Sequence, residues 1–370
     1  MMPRVGIIYL TFPTKHWERD IDRFMRSLEH LNYPKDRVDL ICVEPERTSP
    51  RVKDWFDQVW MPKSGISLPT IHYVFNTAEY GFSANNNVGL IKARELGCAY
   101  VHLTNEDTDV DPDYILRAVE CAESDPRIGA VQSLMLLGEE RDKINSTGNA
   151  FHYLGFGFSN GYKNNVGAHG YAPMDGYVPI QNIGYASGAA VLVRVAALHG
   201  EPLFDERFFS YHEDTDLSLR LKLRGYRVVI EPKSVIWHYY EFAKNKINYY
   251  WMERNRYALI FSYYHVWTLI LLTPMLIVME MAQSMFSIRG GWWDMKRKVH
   301  KDLYSRAFWQ WIIERRASIK KIRRIGDREL LKDAVATIEF QEASVRNPVL
   351  EYIGNPLMKA YWWVVRKCIV

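Results

Sequence analysis

The chain of 370 residues has only four cysteines, Cys42, Cys98, Cys121 and Cys368. They are widely scattered and none makes a CxxC pair. This excludes a disulfide framework and predicts reduced, buried thiols in a cytosolic domain. Excess charge of one sign is also lacking, since 47 Lys and Arg face 43 Asp and Glu for a net charge of +4. No internal repeat and no low-complexity tract is present. Met1-Met2-Pro3-Arg4 runs straight into an apolar strand, so no signal peptide is expected. The Asn145-Ser146-Thr147 sequon is then expected to be without meaning. A hydrophobic content of 48% suffices for one large domain plus an appendage.

What is there begins with an alternation of elements. Val5–Leu10 predicts a strand, Ile21–Leu31 a helix with apolar Ile21, Phe24, Met25, Leu28 and Leu31, and Val38–Val43 a second strand. Strand, helix, strand is a βαβ unit. The apolar run Ala99–Leu103 predicts a buried strand, and it ends in Asn105-Glu106-Asp107-Thr108-Asp109. Carboxylates there lie at the carboxyl edge of a sheet, where open α/β folds bind ligands. They can hold a divalent cation, which can hold a diphosphate. Asp and Asn are also ordinary turn residues, and the Asn85-Asn86-Asn87 run reads equally as a helix N-cap.

Spacing over a longer range adds more. Asn76, Gly81, Phe82, Ser83, Asn86, Asn87 and Gly89 precede the strand, and Asn105, Asp107, Thr108, Pro112 and Asp113 follow it. A second block holds Ser187, Gly188, Arg194, Phe204, Asp205, Glu206, Phe208, Phe209, Tyr211, Glu213, Asp214, Asp216, Leu217, Arg220, Gly225, Tyr226 and His238. Acids before the run 217–224 also suit a helix N-terminus by dipole complementation, which accounts for Asp216 better than for Glu213.

Together these blocks resemble the large GT-A family of inverting glycosyltransferases, which includes bacterial rhamnosyltransferases. The resemblance covers most of residues 1–240. It implies an α/β chain of GT-A fold, a Rossmann-like mixed sheet flanked by helices. By the resemblance, Asp107 holds a divalent metal, Mn²⁺ or Mg²⁺, and His238 completes the metal site; a lone His closing the strand Val228–Trp237 also reads as structural. The general base is Asp214 by the resemblance, with Glu213 and Asp216 as the other candidates. Asn76, Gly81, Asn86, Asn87 and Asn105 place the donor. Ser187 and Gly188 lie on the acceptor side with Asp216. Relatives carry Asp and a Gly-Ser-Thr turn after the second strand, whereas this chain has Glu44-Pro45-Glu46-Arg47-Thr48. Glu44 is the expected substitute for the Asp, and Thr11 stands where an Asn-rich turn is usual. The loop 138–183, rich in Gly, Asn and Tyr, is expected to be structureless, to cover the site and to shape sugar selection.

The C-terminal third changes character near Asn245. Arg254 and Arg256, beside aromatics, are candidates for a diphosphate or lipid phosphate. Ala258–Met279 is apolar and long enough to span a membrane, with Pro274 expected to bend it into an in-plane or re-entrant hairpin. Basic residues then interleave with Trp292, Trp293, Trp309 and Trp311, the composition of a membrane interface. Basic-aromatic interleaving can also serve nucleic acid, but so small a net charge argues against that partner.

The expected organisation is a catalytic domain over 1–244, with a donor half to about 137 and an acceptor half over 184–244. A helical, basic-aromatic, membrane-associated region over 245–370 follows. The expected activity moves a sugar from a nucleoside diphosphate sugar to a hydroxyl of a lipid-linked saccharide or surface polysaccharide. The expected place is the cytoplasmic face of the cell membrane, peripheral or monotopic. An oligomer is compatible with the sequence. Truncation near Asn245 is expected to give a more soluble protein, poorer on lipid acceptors. The alternatives are a sugar nucleotidyltransferase, disfavoured because Tyr9–Lys15 has no glycine, and a non-catalytic saccharide-binding protein on the same fold.

Overall fold

The computed structural model describes residues 2–46, 51–77, 81–166, 180–239, 246–339 and 347–370. They form two compact units. The first comprises Met1–Asn149, Ser159–Phe209 and Tyr226–Glu241; the second comprises Ala150–Phe158, Ser210–Gly225 and the described part of Phe242–Val370.

In the first unit the chain runs β1 (Val5–Leu10), α1 (Trp17–Leu28), β2 (Val38–Pro45), α2 (Val52–Val59), β3 (Thr70–Asn76), α3 (Phe82–Glu95), β4 (Tyr100–Thr104), β5 (Thr108–Val110), α4 (Tyr114–Ser124), β6 (Ile128–Leu137) and β7 (Ile144–Ser146). A short ribbon follows, β8 (Asn149–Phe151) with β9 (Gly157–Ser159). The first unit then resumes with β10 (Gln181–Asn182), β11 (Ala190–Arg194) and β12 (Arg227–His238). Among the described residues ten strands make one sheet, in the path β10-β12-β6-β11-β4-β1-β2-β3, with β5 on β12 and β7 on β6. β1 pairs parallel with β2 and β4, while β11 runs antiparallel between β4 and β6.

Periodicity explains the packing. The strand β1 is buried throughout, and α1 turns Ile21, Phe24, Met25 and Leu28 into the core at i, i+3, i+4 and i+7. Gly89 lets α3 lie against β1, since a Cβ there would stand 2.5 Å from Ile8 Cγ2. The mixed sheet brings the carboxyl ends of β1, β2, β4, β6 and β12 to one edge, with the amino end of β11 among them.

The second unit is helical: α5 (Glu213–Leu223), α6 (Lys246–Tyr263), α7 (Val266–Arg289), α8 (Trp293–Leu303), α9 (Arg306–Ile322), the single turn α10 (Asp327–Leu330) and α11 (Asn355–Val365). Among its apolar residues it buries two polar networks. The fully buried Asp216 accepts from Tyr263 Oη at 2.7 Å and Arg220 Nε at 3.0 Å, and pairs with Arg315. A second network joins Lys296 to Glu253 at 3.1 Å and to Glu280 at 2.8 Å. Removing one member of such a buried pair typically costs about 3–5 kcal/mol, because the other charge is stranded.

Three expectations need correction. The loop 138–183 contains β7, β8, β9 and β10, and within it only 167–179 lie outside the described residues. The apolar segment Ala258–Met279 is not one helix. It breaks at Tyr264–His265, where the buried carboxylate of Asp327 accepts from His265 N at 2.6 Å and opens α7. Nor does Pro274 make a hairpin, since α7 runs through it. Just before the proline, Thr273 Oγ1 donates to Leu269 O at 2.7 Å.

Candidate active site

The turn between β4 and β5 carries Asp107. Thr108 Oγ1 closes it by donating to Asn105 O at 2.8 Å, and Tyr9 Oη holds it from β1 by donating to Glu106 O at 3.0 Å. β5 pairs antiparallel with β12 so that Thr108 faces His238. That register sets His238 Nε2 3.1 Å from Asp107 Oδ1. Asn145 Oδ1 lies 3.2 Å from the other ring nitrogen, Nδ1.

The chemistry of this pair is specific. An amide oxygen only accepts, so Nδ1 carries the proton. A neutral imidazole then turns the Nε2 lone pair toward a carboxylate oxygen. Two acceptors at that distance call for a cation or a second proton between them. One carboxylate and one imidazole fit Mn²⁺ or Mg²⁺, which leave several positions to water and substrate phosphates. Among the described residues no group of three His, Cys, Asp or Glu gathers for a metal. Burial and the charge of Asp107 push Glu106 up to about 7. Asp109 is also raised by burial, although it pairs with Arg141.

The same sheet edge gathers Asn105, Ser187 and Gly188. Asn105 N donates to Ala189 O at 3.3 Å, and Ser187 N donates to Gln132 Oε1 at 2.9 Å.

Other expected donor residues have structural employment. Glu44 is fully buried; it accepts from Val52 N at 3.1 Å, Lys53 N at 3.0 Å and Tyr73 Oη at 2.7 Å. It therefore caps α2 from outside, with its charge at a helix N-terminus, and does not stand in for a base-gripping Asp. Arg47 and Thr48, beyond it, lie outside the described residues. Thr11, likewise buried, bonds Val43 O and Tyr73 Oη. The Asn run is inside α3, not its N-cap. Gly81 caps that helix at φ 141°, and a Cβ there would meet Phe209 at 2.8 Å. Asn76 donates to Asn85 Oδ1 at 2.7 Å and Asn86 to Phe82 O at 2.9 Å. Asn87 clasps Phe204, donating to its O at 2.9 Å and accepting from its N at 3.0 Å.

In the second unit, Glu213 and Asp214 open α5. Tyr211 and His212, just before it, have φ of 67° each. Such left-handed backbone in bulky residues stores strain and clusters at working sites. Asn255 Nδ2 supports it by donating to Ser210 O at 2.9 Å and Tyr211 O at 2.8 Å. Of the three candidate acids, Asp214 is the partly exposed one; its Oδ1 accepts from Thr215 N at 2.6 Å. Burial, then the charges of Asp214 and Asp216, push buried Glu213 well above the carboxylate range. Asp216 is enclosed in its ion pairs, a correction to its expected acceptor-side place. Arg256 is likewise corrected. It is only 1% exposed and is bonded to Glu253, Leu154 O and Gln283, so no diphosphate reaches it. Arg254 pairs with Asp302 at 3.3 Å and lies over the Trp311 ring.

Sequence reasoning missed Asn145, Asn255, Tyr263 and Arg315. The Arg-Asn-Arg motif drew attention to its charges, yet the neutral Asn255 holds the strained turn.

A mixed α/β sheet flanked by helices, with an Asp and a His meeting at its carboxyl edge, fits the GT-A fold of glycosyltransferases. A sequence model described as glycosyl transferase family group 2 matches residues 100–313. The chain belongs to that family, which removes the nucleotidyltransferase alternative. No curated protein matches it by sequence. Among solved structures, GalNAc-T7 with UDP, GalNAc and Mn²⁺ is similar at TM-score 0.50 and 10% identity, over 70% of this chain and 51% of that one. TarS of S. aureus is similar at TM-score 0.47 and 15% identity, over 70% of this chain and 40% of that one. The mannosyltransferase PcManGT of Pyrobaculum calidifontis, with GDP-Man and Mn²⁺, is similar at TM-score 0.47 and 14% identity, over 100% and 87%. This chain thus spans about half or less of the GalNAc-T7 and TarS chains.

Proposed function

We propose that this chain is a metal-dependent, inverting glycosyltransferase. It takes a sugar from a nucleoside diphosphate sugar and passes it to a hydroxyl of a lipid-linked saccharide or surface polysaccharide. It works at the cytoplasmic face of the cell membrane, where nucleotide sugars are. The observation that carries the reading is the Asp107–His238 pair, two acceptor atoms at 3.1 Å at the carboxyl edge of the sheet. Asp107 and His238 would hold Mn²⁺ or Mg²⁺, and the bound cation supplies charge neutralisation for the leaving diphosphate. UDP and Mn²⁺ in the GalNAc-T7 crystal accord with this.

Asp214 takes the proton of the acceptor hydroxyl as its oxygen bonds to the anomeric carbon. The bond from that carbon to the diphosphate oxygen breaks in the same displacement, which inverts the configuration. Glu213 is the weaker candidate as base, because it is buried, and burial raises its carboxyl and disfavours the charged form, whereas Asp214 is partly exposed. Asn105 lies on the donor side of that edge, with Ser187 and Gly188 on the acceptor side.

The test is a panel of nucleotide sugars, with released nucleoside diphosphate as the readout, in Mn²⁺, Mg²⁺ or chelator. Metal-dependent release and an inverted product are expected. Full turnover in chelator, or a product of retained configuration, overturns the reading.

A further inference from the structure

The helix α7 turns a row of large apolar residues outward. Its exposed positions include Trp267, Ile270, Ile277, Met281, Met285 and Ile288, a stripe at three- and four-residue spacing. The face turned into its own unit buries Leu272, Met275 and Met279, and toward the C-terminal end it is polar. Glu280 bonds Lys296 at 2.8 Å, and Gln283 donates to Glu253 at 2.7 Å and accepts from Arg256 at 3.1 Å. Glu280 is the one acid in Val266–Arg289. A helix packed in water carries charged and polar residues on its outer face instead.

A neighbouring helix extends the pattern. Tyr361 of α11 donates to Leu271 O, and Trp267 Nε1 donates to Cys368 O at 3.1 Å, so α11 lies along the first half of α7. It too exposes Leu357, Trp363 and Val364. Exposed cations border these residues: Arg289 ends α7, Lys359 and Arg366 lie on or beside α11, and Lys367 sits 3.6 Å over the Trp363 ring. Apolar residues with a basic border and no exposed acid on α7 match an anionic lipid surface.

We propose that α7 and α11 form a membrane-docking surface, with α7 lying in the plane of an anionic bilayer. This deepens the membrane reading of the proposed function and rests on it. α7 is the one helix among the described residues long and apolar enough to cross a membrane. Its inner face argues against crossing. A span would carry Glu280 and Gln283 into hydrocarbon or tear them from Lys296, Glu253 and Arg256, at a cost no apolar stripe on the other face offsets. In the plane, the apolar stripe enters the acyl boundary and the polar face stays on the protein.

The test uses the full chain and sealed vesicles of phosphatidylcholine, with or without phosphatidylglycerol. Co-sedimentation is expected on the anionic vesicles and to weaken without phosphatidylglycerol. The exposed double substitution Ile277→Glu with Met281→Glu should cut binding by about tenfold or more, with circular dichroism and hydrolysis of soluble donor unchanged. Single cysteines at His265 and Gly290, in a Cys368→Ser background, should both react with an impermeant maleimide from the side of addition. Unchanged binding by the double variant overturns the proposal. So does binding indifferent to phosphatidylglycerol, or labelling of the two cysteines from opposite sides. A wild-type dimer that the double substitution dissociates, with no vesicle binding, assigns the face to a second copy instead. Donor hydrolysis is measured without vesicles, so loss of the docking proposal leaves the transferase reading to stand or fall separately.

Discussion

Asn145 fixes which nitrogen of His238 looks at Asp107. Its side chain is buried, which leaves no room for a glycan on the sequon. Partners of this kind typically account for about 10–100-fold in metal affinity. Asn145→Ala should therefore weaken Mn²⁺ binding by about that factor, read by titrating the ion against the protein without donor. Unchanged affinity would show that the imidazole is oriented by something else. At the other end of the proposed reaction, Asp214→Asn should lower transfer by about 10²–10⁴-fold, the usual contribution of a positioned base. Donor affinity should stay near wild type. Glu213→Gln, by contrast, should change the rate little, because burial disfavours the charge of Glu213 and an amide is a nearly isosteric uncharged replacement. Wild-type turnover by Asp214→Asn would move the base elsewhere.

At the scale of elements, strands were more legible than what they hold. β1 follows its expected bounds, and the strand before Asp107 is displaced by one residue, because apolar runs bounded by polar turns specify buried strands. The pairing of β5 with β12 is a contact between residues about 130 apart, and nothing in local sequence encodes that register. The resemblance named Asp107 and His238; the sheet supplies their distance. Reading failed where a polar side chain serves its own fold. Glu44 looked like a nucleotide ligand because a carboxylate at a strand end is ambiguous until the helix it caps is seen. The apolar segment after Ala258 looked continuous because its break depends on Asp327, more than sixty residues on. Buried Trp292, Trp311 and Trp362 and exposed Trp309 and Trp363 read alike in composition, yet only the latter two offer a surface.

Two consequences belong to the whole molecule. Burial holds His102 and His152 at about 3 and His212 at about 4, far below the ordinary value near 6.5. These folded values are depressed, so the stabilisation is full above about 6.5 and is lost as pH falls toward 4. Between pH 7 and 5 the unfolded chain takes a proton on each histidine that the folded chain refuses, worth about 2 kcal/mol apiece. Glu106 and Glu213 are raised by burial and pull the other way, so wild type alone does not isolate the effect. His102→Gln does: its denaturation midpoint should fall less than that of wild type between pH 7 and 5. Parallel curves would show that His102 titrates normally. The second consequence concerns the C-terminal third, which composition set apart as a membrane appendage. α5, which carries Asp214, falls in the same compact unit as α6–α11. Its Asp216 is held by Tyr263 and Arg315, both beyond Asn245. Truncation there would leave a buried carboxylate without two of its partners, at about 3–5 kcal/mol. The expected outcome is thus not a soluble enzyme impaired only on lipid acceptors. A chain ending at 245 should lose transfer to soluble acceptors as well and melt less cooperatively, while Arg315→Ala should reproduce part of that loss with every helix present. Full activity of the truncated chain on a soluble acceptor would show that α5 holds its shape without the C-terminal helices.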